Sequence, residues 1–267
     1  METCSVSGRK NGVNILPIAE YTIMENIRSK IFYILLLFIF IMAGSSLVFS
    51  SLAPYTEARV ITDIGLACIE MFTLMTGIFA AVNLVLQEIE NRTIYLLMTR
   101  PLHRWEYIIG RYLGVLVILC FNIITMLSVL VLLLKLTTSW TLSPMFIWSA
   151  VAIFFKMIII VAVALTASLV FTSSITAMAF SFLTWVLGHF SSELKLMAER
   201  IQSFLAKGLL YLLYYAIPNF QLFNLKDKLG IPEGMPLDIV SMVLLYGLIY
   251  AAIFLVIGSL FFSKKEF

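Results

Sequence analysis

The chain has 267 residues, of which 61% are hydrophobic and 12% charged, and its mean hydropathy is +1.02. A soluble domain does not carry so apolar a surface, so these figures leave a polytopic membrane protein. The formal net charge of +3 is too small for a nucleic-acid binder, and the cations gather at the ends of apolar runs rather than along one groove.

The chain opens with a polar tail, residues 1–13, holding Arg9 and Lys10. The first apolar run starts only at Ile31, too late for a secretory signal and long enough to cross a bilayer. Between them, residues 14–30 predict an amphipathic helix in the membrane interface. Ile15, Ile18, Ala19, Thr22, Ile23, Asn26 and Ile27 share one face, with Glu20, Glu25, Arg28 and Lys30 elsewhere.

A helix needs about 20 apolar residues to span the hydrocarbon core. Six runs qualify by composition, at residues 31–49, 64–86, 108–134, 145–171, 175–190 and 239–262. The predicted fold is therefore all-α, with six transmembrane helices. A polar link with Pro54, Glu57, Arg59 and Asp63 joins the first two spans. A turn over residues 135–144, and an uncharged one at Thr172, Ser173 and Ser174, bound the fourth.

Between spans two and three lies a charged island, residues 88–114, with Glu88, Glu90, Arg92, Arg100, His103, Arg104, Glu106 and Arg111. Inside it Ile94, Leu97 and Met98 recur at the spacing of one helix face, and Pro101 marks a stop. Residues 89–99 thus read as a short helix lying along the membrane surface.

The fourth span carries Lys156, the one charge near the middle of a span. Counted from Pro144 it lies about 18 Å along the helix, beyond easy snorkelling. An intramembrane ammonium needs an interior partner or a wet cavity, and Glu70 in span two is the best candidate. Two readings stay open: the pair lines a substrate path and attracts an anionic head group, or it is a buried bridge locking span four to span two.

Residues 191–238 form no ordinary loop. Leu194, Met197, Ala198, Ile201, Phe204 and Leu205 make a helical stripe against Glu193, Lys195, Glu199, Arg200 and Lys207. Residues 208–217 add an apolar stretch of half a span, giving a re-entrant or interfacial hairpin that ends at Pro218 and Asn219. Tyr211, Tyr214 and Tyr215 suit the headgroup level.

Even spans put both termini on one side. Arg9, Lys10, Arg28, Lys30, Arg92, Arg100, Arg104, Arg111, Lys264 and Lys265 share that side with the island. Arg59, Lys135, Lys195, Arg200, Lys207, Lys226 and Lys228 lie opposite, mostly in the one long segment. Long loops weigh little in the positive-inside rule, so the termini and island are expected in the cytoplasm.

Motifs for chemistry are missing. No GxxxxGK[ST] loop is present to cradle phosphates. The chain has two histidines, His103 and His189, and no HExxH. Cys4, Cys68 and Cys120 have no CxxC spacing and build neither a zinc site nor a disulfide framework. His189 and Glu193, one turn apart, read as a hydrogen-bonded pair ahead of a metal site.

The island also carries a family resemblance. Glu88, Thr93 with Leu96 and Leu97, Arg100-Pro101-Leu102, Arg104 with Tyr107, and Gly110-Arg111 resemble the cytoplasmic coupling region of type-2 ABC exporter permeases. That pattern runs E…GT…LL…P…R…Y…GK; here Asn91-Arg92 stands where glycines are common, and Arg111 replaces the usual lysine. The similarity is strongest to permeases of the copper-enzyme-maturation and gliding-motility group.

The resemblance implies a single transmembrane permease domain over residues 1–267 in the cell's inner membrane, with no catalytic residues, cofactor or metal of its own. ATP and magnesium would be bound by a separate cytoplasmic ABC ATPase. The other partners would be a second permease copy or sister permease, the lipid bilayer and an extracytoplasmic accessory protein. ATPase coupling would fall to Glu88, Glu90, Arg92, Ile94, Leu97, Met98, Arg100 and Arg104. Two other classes stay in view: an ATPase-driven mechanical complex that remodels an outer partner, and an intramembrane enzyme, which the missing catalytic constellation disfavours.

Overall fold

The computed structural model describes residues 37–44, 57–90, 104–137, 144–201, 203–224 and 237–264. The interfacial helix read at 14–30, both ends of the first span, most of the island (91–103) and the stretches 138–143 and 225–236 lie outside the described residues. Everything described is helix, or the short links between helices.

Residues 37–44 are helical (α1) and fall within the first of the apolar runs. Helix α2, Glu57–Glu90, has 34 residues and a length of about 51 Å, well beyond a bilayer core. It begins earlier than the sequence predicts: Glu57, Arg59 and Asp63, read as a link, form its first turns. An acidic side chain in a first turn suits the positive end of the helix dipole, which favours a helical start here over a loop. Helix α3, Arg104–Thr137, likewise absorbs Lys135, which had been assigned to a turn. Helix α4 is Pro144–Val170, and Phe171–Ser173 form the turn into α5, Ser174–His189.

At His189 the chain bends by 66° into α6, Ser191–Arg200. Helix α7, Phe204–Ala216, folds back against α6. A single 3-10 turn, Phe220–Phe223, leads towards α8, Leu237–Lys264. Among the described residues, four helices (α2, α3, α4 and α8) are long and apolar enough to cross a membrane, and a fifth span results if the bent pair α5–α6 counts as one. The stripe from Leu194 to Leu205 is not one helical face, because the helix stops after Arg200 and restarts at Phe204.

Helix α4 is the hub, packing on α2, α3, α5 and α8. Residues 156–169 are buried without a break, as expected of a helix apolar all round. Within their most apolar windows, α2 and α4 are each 72% buried but α8 only 17%, so the described helices leave most of α8 uncovered. Small residues permit the close approaches that drive packing where lipid is as apolar as leucine. Ala177, Ser181, Thr184 and Gly188 form the buried seam of α5, and Gly65 and Gly77 admit Leu130 and Leu119 between α2 and α3. Thr166 Oγ1 donates across to the Phe254 carbonyl of α8 at 2.9 Å, and the Tyr112 hydroxyl to the Ile158 carbonyl of α4 at 3.0 Å.

Candidate functional site

Helix α2 carries two buried carboxylates, Glu88 near its island end and Glu70 about 20 Å from its start, and each is neutralised within the subunit. At the island end, Glu88 forms an ion pair with Arg111 and accepts the hydroxyl of Tyr107, both from α3. Tyr107 and Arg111 stand four residues apart on one helix face, which lets both reach the same carboxylate. The Arg111 guanidinium lies 5.8 Å from the Tyr107 ring centre, and Phe262 of α8 stacks on that ring. Three helices meet there around one charge pair.

The other candidate coupling residues are divided. Glu90 closes α2 and Arg104 opens α3, their side chains outside the described residues; Arg92, Ile94, Leu97, Met98 and Arg100 lie wholly outside them.

The second cluster joins α2, α4 and α5. Lys156 Nζ lies 2.8 Å from Glu70 Oε1, with both side chains buried. The longer α2 brings the two to one depth: Glu70 is about 20 Å from the start of its helix and Lys156 about 18 Å from the start of α4. His189 completes the cluster, its Nε2 3.2 Å from Glu70 Oε1 and 3.4 Å from Lys156 Nζ. It does not pair with Glu193. The bend after α5 carries Glu193 away to the Gln221 amide at 3.1 Å, while His189 turns inward.

The cluster sits at the C-terminal end of α5. Sixteen residues span about 24 Å, short of a hydrocarbon core near 30 Å. A helix ending there needs its carbonyls satisfied by protein. His189 Nδ1 donates to the Trp185 carbonyl at 3.1 Å, the Phe190 amide to Val186 at 3.2 Å, and Gln221 Nε2 to the His189 carbonyl at 2.9 Å. Gln221 also meets Ser192. The turn at residues 218–223, called the roof turn below, is pressed on this end: an added Cβ at Gly188 would stand 2.6 Å from the Pro218 carbonyl and against the Phe220 ring. On its far side Asn219 donates its amide to the Tyr246 hydroxyl of α8 at 2.8 Å.

Between the clusters runs a thin polar seam. Asn122 Nδ2 reaches Thr76 Oγ1 at 3.5 Å, both side chains buried. Sequence reasoning did not find Tyr107 and Arg111 as partners of Glu88, or His189 as the third member with Lys156. The i, i+4 spacing of Tyr107 and Arg111 was the available signal for the first. Among the described residues, no group of three or more His, Cys, Asp or Glu could hold a metal ion.

A comparison with curated proteins returns no match. The family model described as ABC-2 family transporter protein matches residues 16–267, nearly the whole chain. The chain therefore belongs to the ABC-2 transporter family and is a multi-pass membrane permease subunit, without catalytic activity of its own and served by a separate ATPase.

Proposed function

We propose that the chain forms half of an export path, paired with a second copy or a sister permease. Two copies of a cytoplasmic ATPase, which bind the ATP and magnesium, drive it. The family match over residues 16–267 carries this reading. Within it the chain has six spans, the first containing α1 and the fifth ending at His189, and both termini face the cytoplasm. The membrane is the cell's inner membrane, and the chain is a permease of the copper-enzyme-maturation and gliding-motility type.

In this reading residues 89–99 form the coupling helix. Ile94, Leu97 and Met98 are its apolar anchor on the ATPase, and Glu90, Arg92, Arg100 and Arg104 its charged rim. Glu88 contributes from inside: its ion pair with Arg111 fastens α2 to α3 directly behind the coupling segment. A push on that segment then moves both helices as a unit. Helix α2 carries the displacement along its length to Glu70, and α5, which packs on α2, passes it to the roof turn. An extracytoplasmic accessory protein would meet the same roof, and the lipid bilayer surrounds the remainder.

The test is Leu97→Asp in the full-length permease co-expressed with its ATPase. The variant inserts normally but loses ATPase binding and stimulation, because a carboxylate at the centre of an apolar contact costs several kcal/mol, about 2–5 on mutational scales. Retained stimulation by Leu97→Asp would remove residues 89–99 from the coupling role.

A further inference from the structure

One threonine of α2 departs from the habit of the others. In an apolar helix a threonine hydroxyl can give its hydrogen to the carbonyl one turn back. Thr62, Thr76, Thr125, Thr137, Thr166 and Thr184 all do so, at 2.6 to 2.9 Å. Thr73 is fully buried, yet its Oγ1 makes no such bond to Ile69 and has no other hydrogen-bond partner among the described residues.

Asn122 of α3 reaches the same face of α2 one turn further on, at Thr76. Thr76 commits its hydrogen to the Phe72 carbonyl at 2.8 Å, so it offers Asn122 only lone pairs. The Asn122 atom 3.5 Å from it is therefore the amide nitrogen, which fixes the amide's orientation. Asn122 Oδ1 then lies on the other side of the amide, buried and without a donor. Two oxygens short of partners thus stand about one helical turn apart along the α2–α3 contact. One can only accept; the other can give and take.

Bulk water does not reach them. Thr73 and Asn122 are 0% and 1% exposed. Each lies about 22–27 Å from either end of its 34-residue helix. Gly77, next to Thr76, lets Leu119 of α3 and Val161 of α4 close on α2, at 3.0 and 3.5 Å from an added Cβ. Buried hydroxyls and amides without a partner are costly and rare, and a bound water is the usual remedy where several polar atoms converge.

We propose that Thr73, Thr76 and Asn122 form a binding site for one buried water molecule between α2 and α3. The water accepts from Thr73 Oγ1 and donates to Asn122 Oδ1, and its second hydrogen goes to the free lone pair of Thr76 Oγ1. Three partners are what a buried water ordinarily has. The bridge ties α2 to α3 at a second point, about 22 Å along α2 from the Glu88–Arg111 pair. It goes beyond the transport reading and requires neither ATPase nor substrate.

The test is water-edited solid-state NMR on full-length permease in lipid, labelled with 13C-threonine, with Thr73 assigned by the peak lost in Thr73→Ser. Water protons are expected to reach Thr73 at short mixing times despite its burial. Thr166, whose hydroxyl is bonded to protein, stays dark. Magnetisation arriving at Thr73 from lipid protons alone, or none from either source, overturns the water. Asn122→Leu is expected to abolish the transfer, and a transfer that survives it overturns the three-residue site. Should Asn122→Leu fail to fold, the wild-type spectrum and the stability of Thr73→Val still decide. Thr73→Val keeps the shape and deletes the oxygen. With a water bound, it lowers the thermal midpoint by a few degrees, and Asn122→Leu added to it costs less than Asn122→Leu alone. An unchanged or raised midpoint for Thr73→Val, as the loss of an orphaned hydroxyl would give, overturns the site, and so does strict additivity.

Discussion

At the scale of single residues, the energetics of Lys156 and Glu70 follow from burial. Each charge alone would be expensive at this depth; together, with His189 beside them, they are neutralised and hydrogen-bonded. Removing one partner leaves the other buried and short of a counter-charge, at a cost of about 3–5 kcal/mol. Lys156→Met is therefore expected to lower the thermal midpoint and folded yield in detergent. Lys156→Met with Glu70→Gln removes both charges and recovers most of the loss. If that double variant also transports, the pair is only a bridge between α4 and α2. If it folds, keeps a hydrolysing ATPase bound and moves nothing, the pair belongs to the path. The need for a partner was legible because one ammonium stood alone in an apolar run. His189 was not, since the i, i+4 rule joins it to Glu193 only while the helix continues, and here it does not.

At the scale of elements, the break after α5 decides how the outer segment is built. Long apolar runs declared their helices, but their ends did not, because helix extends into polar flanks such as Glu57–Asp63 wherever caps and dipoles allow. No proline marks the 66° bend; the turn is held by side chains brought from residues 218–221, which hydropathy cannot see. Gly188 is its one local trace. A side chain there meets the Pro218 carbonyl, a backbone atom with little room to retreat. Gly188→Leu is expected to destabilise the roof by about 1–3 kcal/mol, as overpacking does. It would appear as a lower thermal midpoint and faster proteolysis at residues 201–203, with α2–α3 packing unchanged. A wild-type midpoint would mean that the roof turn does not bear on α5.

At the scale of the whole molecule, the fold arranges charge in two layers. Glu88, paired with Arg111, sits at one end of α2, and Glu70, clustered with Lys156 and His189, lies about 27 Å away along it, with Asn122 and Thr76 between. Such a rod is stiff enough to transmit a push, but only its placement across the bilayer says from which side. The topology proposed from the cation asymmetry has the island inside, and a labelling experiment decides it. In a background with Cys4, Cys68 and Cys120 replaced by serine, Ser192→Cys, Lys226→Cys and Glu233→Cys should react with a membrane-impermeant maleimide added to intact cells. Asn11→Cys and Ser263→Cys should react only after permeabilisation. Ser192 is the informative position, because it lies just beyond the bend and is half-buried against Gln221. Slow labelling at Ser192 beside fast labelling at Lys226 would fit a roof seated below the headgroups. Reversal of the whole pattern would put the Glu88–Arg111 end outside, beyond the reach of any cytoplasmic ATPase, and residues 89–99 could not then be the coupling helix.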